Sequence, residues 1–429
     1  MKSNRLVSII LVLFLCLLLV ACGGNDETSG KADDGQVTLQ YWVGWSPGEA
    51  NAKESRELIE EYEKENPNIK IDIQELNYEM IHDKLVAGIS AGEVPDISWG
   101  LGEWVAEFNS MDAFMDLTEY VNNWDDKKNI QERALEAVTI NNKIVGLPFQ
   151  TGARGLLVHD DILKKAGIET VPKTWDELIK VGKEYNKKTN NYLFGFTGTS
   201  VRAPQEMIGY FAQNGVEIAT EMSDGKFKNT WKEDTKQLEA VANVFDFYKD
   251  LIDSKVVDPN SKTWDWESAD TNFSTGNIAM EVSGNWMSER EVSNPDTMKD
   301  VSIFPTPYGE KPATFLEVKP LFIFKDSKHK EEAWKFAQFI MSKEFQEKVQ
   351  PSNTPRTDVM EEGKWGKDFQ KLVETGVSFP PVSLGNITTN MEDALAKVLQ
   401  NNEDSLEVAK WLSDEINKSL ETSGELSNN

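Results

Sequence analysis

Tryptophans paired with nearby carboxylates are the residues in this chain most able to do chemistry. There are thirteen, and several fall outside any helical stripe. Trp45 is followed by Glu49, and Trp99 by Glu103. Trp264-Asp265-Trp266 lies in a polar stretch, and Trp286 follows Ser283-Gly284-Asn285. An indole offers a flat, electron-rich face, which suits the C–H face of a pyranose. Asp, Glu, Asn, Gln and Arg suit its rim of hydroxyls. Aromatic plates with a few convergent polar groups make an orienting, water-excluding site, so the pattern points to a carbohydrate. The same mixture of acids and Trp also suits an amine such as a polyamine. Trp175 and Trp334 lie in helical stripes and read as core.

Covalent chemistry has few candidates. His82, His159 and His329 are far apart and read as surface or capping residues, with no metal-protease or Cys/His pattern. No nucleophile elbow and no phosphate-cradling Gly-rich loop is present. The 72 acidic residues leave open a carboxylate pair of the glycosidase kind, although most sit on solvated helix faces. The expectation is therefore a binder with no catalytic residue, metal or cofactor. An exported glycosidase is the rival reading.

Alternating elements must position these side chains. Val37, Leu39, Tyr41 and Val43 share one face of a strand. A helix is predicted over about 49–65, stopped by Asn66-Pro67, and Ile69, Ile71 and Ile73 alternate again. That is a strand–helix–strand unit with parallel strands. A second helix over about 78–91 ends at Gly92, and "VPDISWG" supplies a short buried strand. In such α/β sheets ligands bind beyond the carboxyl ends of the strands. Thr174-Trp175-Asp176-Glu177 reads as a capping box. Apolar stripes mark helices at 333–340 and 406–420, and the tail "TSGELSNN" is expected to be unordered.

The N-terminus sets location. Lys2 and Arg5 precede an apolar run from Leu6 to Ala21, too short to cross a bilayer and typical of a secretory signal. Its end, Leu19-Val20-Ala21-Cys22, resembles a bacterial lipobox, which implies cleavage before Cys22 and acylation of that thiol. Residues 22–36 then form a lipid-anchored tether on the outer face of the cell membrane. Removing 21 of 429 residues leaves 408, room for two or three domains. The only other cysteine, Cys16, leaves with the signal, so neither a disulfide nor a thiol nucleophile is available. Losing Lys2 and Arg5 takes the net charge from -27 to -29, which argues against nucleic acid.

Several fragments, in order, resemble the extracellular solute-binding proteins of bacterial ABC sugar importers, the group that includes the maltose-binding protein. They are "TLQYWV", "ENPNIKIDI", "DKLVAGISAGEVPDI", "NNKIVGLPFQTGARGLLVHDDILKKAGI", "VPKTWDEL", "FSTGNIAMEVSGNW", "FPTPYGE" and "KHKEEAWKFAQFIMSKEFQEKV". The resemblance implies an α/β, two-lobed periplasmic-binding-protein-like (type II) fold with a hinge and an interlobe cleft. Lobe one would be residues 37–149 plus 320–355, and lobe two 150–319 plus 356–425. It implies a monomer that hands its sugar to permease subunits with their ATPase. By position it places Trp45, Trp99, Glu103 and the "G-x-W" residue Trp286 against ligand. Gln150 and Arg154 fall at the first crossing and Glu317 at the second. The family's Gly-Gly pair before the second crossing is replaced by "ATFLEVKP". The Trp264-Asp265-Trp266 doublet is not a general family feature.

Overall fold

Alternation of apolar and polar residues builds two separate sheets. The computed structural model describes residues 36–44 and 50–429; the signal, Cys22, the tether, Trp45 and Glu49 lie outside the described residues. In chain order the main strands are β1 (Val37–Val43), β2 (Ile69–Glu75), β3 (Ile97–Trp99), β4 (Leu147–Ala153) and β5 (Gly155–His159). They continue with β6 (Phe194–Gly195), β7 (Met280–Ser283), β8 (Val301–Phe304), β9 (Thr314–Ile323) and β10 (Gly376–Val377). The longer helices are α1 (Ala50–Glu65), α2 (Tyr78–Ala91), α3 (Trp175–Thr189), α4 (Arg202–Gln213) and α5 (Thr235–Asp253). After them come α6 (Trp266–Ser274), α7 (Lys330–Ile340), α8 (Lys343–Val349), α9 (Gly385–Leu399) and α10 (Ser405–Thr422).

The first sheet has the order β10-β9-β3-β1-β2, with β4 also on β9. β1 runs parallel to β2, Val37 opposite Ile69, as a strand–helix–strand unit requires. Both faces are buried. Tyr41, Val43, Leu321 and Ile323 face α1, α7 and α8, while Trp42, Phe322 and Phe324 face Ile81 and Leu85 of α2. The 330–340 helix has no strands of its own and packs here. Phe336 meets Tyr41 edge-on with ring centroids 5.4 Å apart. The second sheet, β8-β5-β7-β6, is covered by α3, α4, α5, α9 and α10 around Trp231, Phe245, Tyr248 and Leu412.

The chain passes from sheet to sheet at Arg154, between β4 and β5. β9 pairs antiparallel with β4 along most of its length, from Leu316 opposite Ala153 to Leu321 opposite Leu147. The register slips between Lys319 and Pro320, because proline has no N–H to give the ladder. The C-terminal half of β9 belongs to the first core. Its N-terminal end packs on α4, where the Cα side of Gly209 comes close to the Phe315 backbone. Gln150 is buried in β4 and donates to Gln350 Oε1 at 2.7 Å, so it ties the crossing to the residue that ends α8.

Three expectations change. The tail is ordered: Phe227 N–H donates to Glu425 O at 2.9 Å, Ser427 N–H returns to Phe227 O at 2.8 Å, and Leu426 joins the second core. The backbone of 425–427 completes a strand edge that composition does not show. His159 is fully buried in β5, stacked on Phe273, with Nε2 2.8 Å from the Phe273 carbonyl. In the capping box Thr174 Oγ1 accepts from Glu177 N–H, but Glu177 reaches one residue further back, to the N–H of Lys173 at 2.8 Å.

Candidate functional site

Between the two sheets lies a cavity of about 600 Å³, within the range of roughly 300–1,000 Å³ usual for small-molecule sites. The first lobe lines it with His82, Leu101, Glu103, Trp104 and Glu107. The second lines it with Val201, Phe379, Ser383, Asn386, Thr388 and Glu392. Glu103 reaches it because the turn after β3 lies flat on β9. Gly100 donates to Pro320 O at 2.9 Å, and a Cβ at Gly100 would come 2.1 Å from the Phe322 ring. Only glycine permits that approach.

Behind Glu103 a chain of polar groups joins the lobes. Gln205 of α4 donates to Glu103 Oε1 at 2.9 Å, and Gln205 Oε1 accepts from Arg154 Nη2 at 2.8 Å. Arg154 Nη1 lies 3.5 Å from Glu317 Oε2. Burial and the nearby Glu317 charge push the Glu103 carboxyl above its ordinary range. Burial opposes ionisation of Glu317 too, but Lys319 and Arg154 outweigh it and hold that carboxyl low. Burial also lowers the Arg154 guanidinium from its ordinary value.

A second network sits under Trp286. The Arg154 and Arg202 guanidiniums lie over its indole, 4.4 and 4.9 Å from the ring centre. Its Nε1–H donates to Asp270 Oδ2 at 2.9 Å. The indole folds back on Gly284, where a Cβ would fall 1.8 Å from the ring. Arg202 grips Asp270 with two bonds of 2.6 and 3.0 Å and also reaches Glu281 Oε1 at 3.1 Å. Burial opposes the charge on Arg202, yet these carboxylates raise its pKa. Asp270 is held low against its burial by Arg202. Burial and Asp270 drive Glu281 well above the carboxylate range. Glu206, one helical turn on from Arg202, is pushed up to about 7 by burial, even with both arginines opposing.

The sequence-predicted residues separate into groups. Glu103, Arg154, Glu317 and Trp286 converge. Trp99 does not: it is buried among Tyr41, Phe149 and Leu321, and its Nε1–H donates to Tyr41 Oη at 2.6 Å. It shares the inward face of β3 with Ile97, which alternation dictates. Trp264 packs on Gly195, and its carbonyl accepts from Gly198 and Thr199, holding the loop that ends at Val201. Asp265 caps α6 through Ser268 N–H at 2.8 Å. Trp266 is 42% exposed and stands one turn from Asp270, on the same helix face.

Sequence reading missed Gln205, Arg202, Asp270, Glu281 and Phe379. The first four read as helix and strand interior. Phe379, in the proline-rich "SFPPVSLGN" between β10 and α9, carried a usable signal: an aromatic residue in a loop. His82 lies at the cavity, not on open surface, with Nε2 2.9 Å from Glu107 Oε2. That bond raises its pKa against the effect of burial. Among the described residues no group of three or more His, Cys, Asp or Glu could hold a metal. Of the predicted site residues, Glu103 lines the cavity between the sheets and the other described ones lie behind or beside it. None lines the cavity of about 630 Å³ at the far end of α4 or that of about 490 Å³ beside Leu135 and Asn141.

A family model described as bacterial extracellular solute-binding protein matches residues 46–347. The chain belongs to that family. The family is one of exported binding proteins, and no described helix is long and apolar enough to cross a membrane. A lactose-binding protein of Rhizobium radiobacter is 24% identical to this solute-binding protein over 334 residues, 74% of this chain and 72% of its own length. An arabinooligosaccharide-binding protein of Bacillus subtilis is 28% identical over 227 residues, 50% of each chain. The crystal structure of an ABC transporter solute-binding protein from Thermotoga lettingae, bound with α-D-tagatose, is 26% identical. It matches with a TM-score of 0.73 over 89% of this chain and 99% of its own. The two-lobed α/β fold expected from the sequence is therefore the fold found.

Proposed function

We propose that this solute-binding protein captures a mono- or oligosaccharide in the interlobe cavity and delivers it to the permease of an ABC importer. The observation that carries this reading is the cavity wall shared by both lobes and stitched by the Glu103–Gln205 bond. A guest bound there is enclosed only when the lobes come together. Phe379 and Trp104 supply apolar faces, and Glu103, Asn386 and Thr388 supply hydrogen-bonding groups for hydroxyls. Trp266, on α6 beyond that wall, stays in the proposed ligand-binding set. Trp286 and its two arginines form a stiff backing to this wall. Trp45, Glu49 and Asp265 belong to the same proposed ligand-binding set. The names of the relatives support a sugar as the class of solute.

The mechanism is binding followed by hinge closure. The free protein exchanges between separated and closed lobes, and sugar settled on one lobe favours the closed form, in which the lobes have turned about β4 and β9 and Glu103 meets Gln205. The lobe boundaries are those of the sequence reading, 37–149 plus 320–355 and 150–319 plus 356–425. The protein acts as a monomer and does no covalent chemistry. Acylated Cys22 anchors it, and the closed form docks on permease subunits with their ATPase. Palmitate labelling of wild type but not of Cys22→Ala tests the anchor.

Titration of intrinsic Trp fluorescence against neutral oligosaccharides, with solution scattering on the same samples, tests the capture. Saturable quenching with compaction is expected. No response to any saccharide, with a clear one to spermidine, would move the site to the amine class. Trp266→Ala is expected to weaken sugar binding by about 1 kcal/mol or more, and unchanged affinity would remove it from the site.

A further inference from the structure

We infer that the cavity selects saccharides without negative charge and turns away those bearing carboxylate or phosphate. This inference rests on the saccharide reading and adds the substrate's charge class. Among the described residues, the cavity is lined by the carboxylates of Glu103, Glu107 and Glu392, and by no Lys or Arg. Glu392 already holds the loop before α4, accepting from Ser200 N–H at 2.9 Å, so it is fixed in place.

The groups nearest this wall that can carry positive charge are all engaged by the protein's own acids, His82 on the wall itself by Glu107 Oε2, 2.9 Å from its Nε2. Arg202 is bound to Asp270 and Glu281, and Arg154 to Gln205 and Glu317. Both guanidiniums are at most 4% exposed under Trp286. Lys319 sits beside Glu317 and steadies its charge. An anionic guest would have to break one of these buried pairs to gain a partner, leaving an uncompensated charge behind. Without such a partner, its carboxylate faces like charges across a partly dehydrated space. A neutral sugar meets acceptors for its hydroxyls and none of this opposition.

Matched pairs test the inference on the intact protein by calorimetric titration at pH 7.5. Suitable pairs are xylotriose with glucuronosyl-xylotriose, galactotriose with trigalacturonate, and maltotriose with its aldonic acid. In every pair whose neutral member binds, the acidic member is expected to bind at least about tenfold more weakly. The gap should narrow several-fold in Glu392→Gln, with circular dichroism confirming that the variant folds. An acidic member that binds as tightly as its neutral partner, or more tightly, overturns the inference. If no member of any pair binds, the saccharide reading itself is lost and the inference falls with it. Binding by neutral members alone, with the gap unchanged in Glu392→Gln, overturns the electrostatic cause.

Discussion

Glu206 shows how much a single side chain in this protein depends on its burial. It lies near two arginines, yet its Oε2 has no hydrogen-bond partner among the described residues, and desolvation drives its pKa up to about 7. The folded protein therefore binds this proton more tightly than the unfolded chain does. That stability is fully present below the ordinary Glu value of 4.5 and is lost as pH rises through about 7. Glu206→Gln cannot ionise and should escape the loss. Relative to wild type, the variant should gain stability between pH 5 and pH 8, by up to roughly 3 kcal/mol. Urea midpoints of both proteins across that range measure it, and parallel pH profiles would contradict the assignment. Residues of this kind were hard to read in sequence. Glu206, Gln205 and Arg202 look like an ordinary polar helix start, and only the fold reveals that "RAPQE", residues 202–206, is buried. Trp99 erred in the opposite direction. Its position at a strand end suggested a cleft, but strand alternation had already assigned it to the Tyr41 face.

At the scale of elements, most of the scaffold was legible because local patterns and tertiary burial agree. The β1–α1–β2 unit, the short "PDISW" strand and the stripes of α7 and α10 all follow from apolar periodicity. What escaped was pairing between distant segments, such as the tail on Phe227. Two-residue strands carry no periodic signal. The turn after β3 depends on an equally nonlocal fact, the closeness of Gly100 to Phe322. That ring is fully buried and stacked on Phe114 with centroids 4.5 Å apart, so it has nowhere to move. Gly100→Ala should cost roughly 1–3 kcal/mol and weaken ligand binding by tilting Glu103. Gly385, at the start of α9, has open space around its Cβ position, so Gly385→Ala should change stability by less than about 0.5 kcal/mol. Thermal melts of the two variants distinguish them, and equal small effects would mean the turn relaxes freely.

For the whole molecule, the quantity that matters is the equilibrium between separated and closed lobes. The Glu103–Gln205 bond is the polar link across the cavity wall. Gln205 also holds Arg154, so it cannot turn away without loosening the second lobe. A net contribution of about 1 kcal/mol for such a bond shifts a two-state population about fivefold. Glu103→Ala should therefore open the unliganded protein, raising its radius of gyration in solution scattering. Saturating sugar should restore the wild-type compact value, because ligand contacts still favour the closed form. Affinity should fall by a similar fivefold factor, plus whatever Glu103 itself gives to the sugar. A double-mutant cycle with Gln205→Ala separates the two parts: the coupling energy reports the lobe–lobe bond, and the remainder reports contact with the guest. A radius of gyration in sugar-free Glu103→Ala equal to wild type would show that closure is governed elsewhere, in the β4–β9 ribbon itself.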